Sequence, residues 1–334
     1  MARRARSSPF ANALQKLVNR AGQDVVRAGS KAVRHAIKVA VDQQRPPSGR
    51  GDWIAGQTIG PAGLRRYHLF RPQGVRAAER LPLLVMLHGC AQNGRALAES
   101  TRMNALAASK RFLVLYPEQE LLANPQGCWN WYDTHSGQAQ REVATLLGMI
   151  DQVCRLYPVD AAGIALAGIS AGASMAALLA SEQPERFVAV AMHSGVPPGS
   201  ARSAASAIAA MRGRRTPGEP VSPGPWPPLL VIHGRSDRVV APENGRAAAT
   251  LWAEVAQASP MPAKTTQRGK RYPATTTEYR VGQQRIATLI EIDRLGHAWS
   301  GGKAGEPFSD PAGPDASRLI WVFVLRHLPA RSSR

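Results

Sequence analysis

GIALAGISAGA (163–173) is an apolar run that ends in a serine set between two glycines and passes straight into the small-residue stretch ASMAALLA (173–180). The spacing predicts a buried strand that turns sharply into a helix at Ser170. Such a turn lifts the serine hydroxyl clear of the sheet, and the residues two before and two after it must be small or the backbone collides. The N–H of Ala171 then opens the helix and faces the position where an oxyanion would form. This is the pattern of a nucleophile elbow, and it calls for a parallel sheet beneath it.

The flanking text supplies that sheet. RRYHLFRP (65–72), PLLVML (82–87) and FLVLYP (112–117) read as strands, the last two buried, with a helical pattern from Leu97 to Lys110 between them. Over residues 139–156, Val143, Leu146, Leu147, Ile150 and Val153 share one helical face, so a core-packed helix precedes the elbow strand. FVAVAMHSG (187–195), PPLLVIHG (227–234) and ATLIEIDRL (287–295) are three further buried strands, and residues 315–328 form an apolar closing helix. The Arg- and Pro-rich residues 211–228 read as a long loop or a mobile lid. Strands alternating with helices predict an α/β fold: a mainly parallel sheet with helices on both faces.

Composition sets the outer bounds. The chain has 334 residues, 44% of them hydrophobic, enough for one large domain, expected over residues 52–330. The net charge of +19 is concentrated at the start, where residues 1–50 hold eleven Lys or Arg against Asp24 and Asp42. Leu14, Val18, Ala21, Val25, Ala28, Ala32, Ala36 and Val39 recur at helical spacing among these cations. Residues 1–45 therefore read as a basic amphipathic helical extension, and residues 46–51 as a linker. The extension is a solvated tail or a contact for an anionic surface such as nucleic acid, a lipid headgroup layer or a coated particle, with no specific nucleic-acid partner indicated. Lys and Arg interrupt every apolar stretch, so no transmembrane segment is expected. An apolar region of the kind a secretory signal needs does not follow the basic start. Cys90, Cys128 and Cys154 are too few for a disulfide scaffold and lack metal-ligand spacing.

A serine hydroxyl is a poor nucleophile at neutral pH, so Ser170 needs a base and the base needs an orienting carboxylate. In this kind of sheet both should leave the ends of later strands, in the order Ser, acid, His. The strand at 227–233 runs into Asp237, and the strand at 287–293 runs into His297. His297 would take the serine proton, and Asp237 would hold its tautomer. A second oxyanion donor should come from the loop after an early buried strand, where His88-Gly89-Cys90 follows PLLVML; the Cys90 N–H is assigned to pair with that of Ala171. His88 reads as a loop anchor, with a catalytic base or a substrate contact as the alternative, and His193 and His233 as strand-end anchors, with cleft lining as the alternative. Trp129, Trp131 and Trp299 read either as lids on the core or as flat apolar surface for an acyl or ring-bearing substrate. No phosphate loop, zinc motif or flavin fingerprint occurs, so no cofactor and no metal are expected.

LHGCAQN (87–93), TRMNALA (101–107), YPEQ (116–119), GCWNWY (127–132), YPVD (157–160), AGISAGASMA (167–176), HSG (193–195), HGRSDRVV (233–240), GHAWSGG (296–302) and DPAGPDAS (310–317) together resemble the polyhydroxybutyrate depolymerase family of esterases, in family order over residues 52–328. The resemblance implies an α/β-hydrolase fold and hydrolysis of carboxylic esters without a cofactor, with Ser170, Asp237 and His297 as the triad. It implies short-chain acyl esters or 3-hydroxyalkanoate polyesters and oligomers as substrates, with feruloyl or acetylxylan esters as the alternative; a peptidase is a further use of the fold. It also implies a disulfide between Cys90 and Cys128, with two free thiols in a reducing cytosol as the alternative, Cys154 as a buried helix thiol, and a polyester granule as a surface for the basic extension. The family is largely extracellular and commonly carries a signal peptide and a polymer-binding domain, neither of which is visible in this sequence, so a cytoplasmic location is the alternative.

Overall fold

The structure is a computed structural model, which describes residues 46–218 and 224–330. The extension expected over residues 1–45 lies outside the described residues. In chain order the elements are β1 (Gly51–Gly60), β2 (Gly63–Pro72), β3 (Leu81–Leu87), α1 (Gly94–Thr101), α2 (Met103–Lys110), β4 (Leu113–Pro117), α3 (Gln138–Leu156), β5 (Val159–Ile169), α4 (Ala171–Glu182), β6 (Ala189–His193), α5 (Ala204–Met211), β7 (Leu229–Gly234), α6 (Glu243–Val255), β8 (Ser259–Pro260), β9 (Lys264–Thr266), β10 (Ala274–Val281), β11 (Gln284–Ile292), β12 (Trp299–Ser300), β13 (Ser309–Asp310) and α7 (Ala316–Leu325).

The main sheet runs β1-β2-β4-β3-β5-β6-β7-β11-β10-β8, with β9 beside β10. From β4 to β11 the neighbours are parallel, and the antiparallel strands lie toward the two edges. Two-residue alternation divides the core. Leu83, Val85 and Leu87 of β3 and Ile164 and Leu166 of β5 face α3, α4, α5 and α6, while Leu84, Met86, Ala165 and Ala167 face α1, α2 and α7. The alanines of that second face, with Ala189 and Ala191 of β6, leave room for the large side chains of α7; its Trp321 stacks on Phe112 at a centroid distance of 3.7 Å. Parallel strands buried on both faces explain why these segments read as unbroken apolar runs.

Several elements depart from the sequence expectation. β1 is a strand beyond those expected, half-exposed, with Gly51, Gly56 and Gly60 weakening its pattern. Those glycines allow close packing: a Cβ on Gly56 would lie 2.3 Å from the Tyr67 ring. The stretch read as a linker is held in place, with Pro47 buried and the Ser48 N–H donating to Glu99 Oε1 at 2.9 Å. The helical segment 97–110 is two helices, broken at Arg102, whose φ of 55° lies in the left-handed region. α5, α6 and β10 were not anticipated. β10 is a half-exposed run of threonines, hydrogen-bonded to β11 through a turn at Gly282.

The elbow depends on contact between backbones. A Cβ on Gly172 would lie 2.2 Å from the Leu87 carbonyl oxygen and 2.5 Å from that of His88; one on Gly168 would lie 2.4 Å from the Gly172 carbonyl carbon. β5 and α4 therefore meet the end of β3 at a spacing that only glycine permits. We expect Gly172→Ala to cost about 3 kcal/mol or more in urea unfolding, because the obstructing atoms are main chain and cannot rotate away.

His193, at the end of β6, is fully buried and stacks on Trp299. Burial first, then the neighbouring His233 and His297, push its imidazole from 6.5 down to about 3. His88 and His233 are shifted down by burial in the same direction. An unfolded chain therefore binds protons that the folded protein excludes. The stability that the neutral His193 ring contributes is complete above about pH 6.5 and is lost as pH falls toward 3, at up to about 1.4 kcal/mol per pH unit, and His88 and His233 act in the same direction. Urea midpoints measured between pH 7.5 and pH 5 should fall on that side, with a shallower fall in His193→Gln.

Candidate active site

Ser170 sits between β5 and α4 with φ 56° and ψ −125°, a backbone geometry that L-residues adopt only when neighbouring structure imposes it. Its N–H donates to the His193 carbonyl at 2.9 Å, and its own carbonyl accepts the Ser174 N–H at 3.1 Å. Ser174 Oγ accepts the Val196 N–H at 2.8 Å, so the loop after β6 is tied to the first turn of α4. The residue is half-buried.

Asp237 leaves the end of β7 and is buried. Its Oδ1 accepts the N–H groups of Val239 and Val240, each at 2.9 Å, and its Oδ2 accepts from His297 Nδ1 at 2.8 Å. A carboxylate only accepts, so the His297 proton is on Nδ1 and the lone pair on Nε2. Burial pushes the Asp237 carboxyl up, but the hydrogen bond and charge of His297, the Val240 N–H and His233 outweigh it and hold it below the ordinary range. It stays ionised at neutral pH.

Two further histidines fix these loops. His193 Nε2 accepts the N–H of Ser300, three residues past His297, at 3.1 Å, while its backbone holds Ser170. One residue thus links the serine turn to the histidine loop. His233 Nε2 donates to the Val240 carbonyl at 3.0 Å and lies 3.6 Å from Asp237 Oδ2. Both are strand-end anchors.

The loop after β3 lies against the elbow, with a Cβ on Gly89 falling 3.4 Å from that of Ser170. Cys90 is joined to Cys128 by a disulfide, and the Ala91 N–H donates to Gln126 O at 2.9 Å. Cys154 lies elsewhere and carries a free thiol, half-buried on α3. The backbone N–H groups of Cys90 and Ala171 have no hydrogen-bond partner among the described residues. Two unpaired donors therefore flank Ser170, one on each loop.

A cavity of about 320 Å³ opens at Ser170 and Ala171. Its walls are the Cys90–Cys128 disulfide, Trp131 and Tyr132 on one side and Val196, Ala204, Ala207, Ile208, Met211 and Val240 on the other. Of the four residues expected to contact substrate, Trp131 alone lines it. Trp129 is fully buried against His88, and Trp299 is buried with its Nε1 donating to Ser317 Oγ at 3.1 Å. His88 is buried too; its Nδ1–H donates to Gly89 O at 2.8 Å and its Nε2 accepts the Gln119 N–H at 3.1 Å. These three rings lie inside the core and not at the cavity. The wall contributed by α5 was missed, although Ser203 ahead of an Ala-rich apolar run is an N-cap signal, and its side chain does cap the helix.

The CWNW loop rests on a buried carboxylate. Glu142 of α3 accepts from Gln119 Nε2 and Asn130 Nδ2, each at 2.7 Å, and from the Asn130 N–H at 3.0 Å. Among the described residues, no cluster of His, Cys, Asp or Glu could hold a metal ion, and no helix is long and apolar enough to cross a membrane.

With this geometry in place, similarity to known proteins is informative. The family described as Esterase PHB depolymerase matches residues 65–252. Poly(3-hydroxyalkanoate) depolymerase C of Paucimonas lemoignei is 31% identical over 189 residues, covering 52% of this chain; the chain spans 44% of that protein's length. Acetylxylan esterase A of Emericella nidulans is 24% identical over 235 residues, covering 64% of this chain and 75% of the relative. Feruloyl esterase B of Neurospora crassa is 28% identical over 215 residues, 58% and 71% of the two chains. Among solved structures, an acetyl xylan esterase from Aspergillus awamori superposes with a TM-score of 0.60 at 19% identity, covering 73% of this chain and 94% of its own, a likeness of fold. The strained serine turn, the ordered histidine–aspartate pair and the matched span agree: the chain belongs to the Esterase PHB depolymerase family, a family of carboxylic ester hydrolases.

Proposed function

We propose that this protein hydrolyses short-chain acyl esters or 3-hydroxyalkanoate oligomers and polyesters through a Ser170–His297–Asp237 triad. The observation that supports this most is the His297–Asp237 hydrogen bond, at 2.8 Å, which leaves Nε2 of the ring free to accept a proton. In this mechanism His297 removes the Ser170 proton as Oγ attacks the ester carbonyl, and the ionised Asp237 stabilises the imidazolium. The Cys90 and Ala171 N–H groups donate to the developing oxyanion, each worth about 10²–10³ in rate. His297 then gives its proton to the departing alcohol, and a water molecule activated by the same ring releases the acid. The apolar walls and the volume of about 320 Å³ suit a small acyl group.

Hydrolysis of p-nitrophenyl butyrate tests the assignment. Ser170→Ala should lower kcat by about 10⁴ or more, and a wild-type rate in that variant would overturn the triad. Asp237→Asn should lower kcat by about 10⁴ while leaving KM nearly unchanged, because the histidine then settles in the wrong tautomer. A butyryl amide should be a far poorer substrate than the ester; equal turnover would indicate a peptidase.

A further inference from the structure

Glu142 is a carboxylate where helical spacing calls for an apolar residue. On α3 it stands one turn before Leu146 and two before Met149, on the face that packs into the core, and it is buried there together with Arg65 of β2. Taking a carboxylate out of water is costly unless its lone pairs are filled. Here they are filled by N–H groups alone: Gln119 Nε2 and Asn130 Nδ2 at 2.7 Å, the Asn130 N–H at 3.0 Å, Gln138 Nε2 at 3.4 Å and the Arg65 guanidinium at 3.5 Å.

Two arms lead from this carboxylate to the cavity. The first runs through Asn130, whose Oδ1 accepts Asn124 Nδ2 at 2.9 Å and the Tyr132 hydroxyl at 3.3 Å. Asn124 Oδ1 in turn accepts the Gln126 N–H at 3.0 Å and the Cys128 N–H at 3.4 Å. The second runs through Gln119, whose Nε2 also donates to Cys128 O at 3.0 Å and whose N–H donates to His88 Nε2 at 3.1 Å. Asn124, Gln126, Cys128, Trp131 and Tyr132 line the cavity on that side. Residues 124–132 belong to no helix or strand, so their course is set by such side-chain bonds and by the Cys90–Cys128 disulfide.

We infer that Glu142 is the positioning residue that fixes the wall formed by residues 124–132, and thereby the length of acyl group that the cavity admits. This rests on the ester-hydrolase function proposed above. Glutamine at 142 has the same shape, but its amide nitrogen takes the place of one oxygen and meets a donor whichever way it is turned, Asn130 N–H on one side and the Gln119 and Asn130 amides on the other. Those bonds open, the wall relaxes outward, and longer acyl chains gain room.

The test is the ratio of kcat/KM for p-nitrophenyl octanoate to that for p-nitrophenyl butyrate, in which the amount of folded enzyme cancels. In Glu142→Gln this ratio should rise about tenfold, the scale on which an apolar pocket distinguishes chains by a methylene. Tyr132→Phe keeps the ring in the wall and removes only the hydroxyl bonded to Asn130; it should raise the ratio about threefold, the scale of one hydrogen bond, and it decides the matter if Glu142→Gln does not fold. Phe112→Leu, a core substitution against Trp321 on the opposite face of the sheet, should lower the urea midpoint and keep the wild-type ratio. A ratio that is unchanged or lowered in the deciding variant, or that rises equally in Phe112→Leu, would overturn the inference while leaving the esterase intact. Turnover of neither ester by the wild-type protein would instead overturn the ester-hydrolase function, and this inference with it.

Discussion

Everything at the candidate site depends on one steric constraint, the meeting of main chains where β5 turns into α4 against the end of β3. Gly172 faces the carbonyls of Leu87 and His88, and Gly168 faces Gly172. With no Cβ at either position the chain can reverse within one residue, and the reversal leaves Ser170 at positive φ. Three consequences share this origin: the serine is lifted from the sheet, the Ala171 N–H is freed at a helix start, and the Cys90 loop is brought alongside. Strain at Ala91 and Ser194, which also have positive φ, lies in the loops that flank the same turn.

The second layer is a set of buried neutral histidines that act as brackets. His88 joins the β3 loop to Gln119, His193 joins the serine turn to Ser300, and His233 joins the end of β7 to Val240. Each ring is used at one or both nitrogens, which fixes its tautomer, and burial makes its protonation costly. His297 differs in a specific way: its Nδ1 is committed to Asp237, and its Nε2 has no partner among the described residues. The distinction between a bracket and a base therefore lies in which nitrogen is left open.

Much of the central sheet was legible because a parallel sheet covered on both faces writes itself as apolar runs, and β3 to β7 and β11 all have that form. The edges were harder. β1 and β10 are half-exposed and rich in glycine or threonine, so their pairing with neighbours, rather than their own pattern, makes them strands. The helix pair α1 and α2 looked continuous because both halves are helical by composition, and only the left-handed Arg102 divides them. Among the tryptophans, Trp131 lines the cavity whereas Trp129 and Trp299 are inside the core, a difference that loop sequence does not encode.

By itself the sequence determined the α/β order of elements, the elbow at Ser170, and the placing of Asp237 and His297 just past strand ends. These follow from local sterics and from hydrophobic period, which act over a few residues. The tertiary structure alone decided the hydrogen bond between residues 237 and 297 and the walls that α5 adds to the cavity. Each of these joins segments far apart in the chain, and their proximity is set by strand order and by packing across the sheet rather than by any local preference.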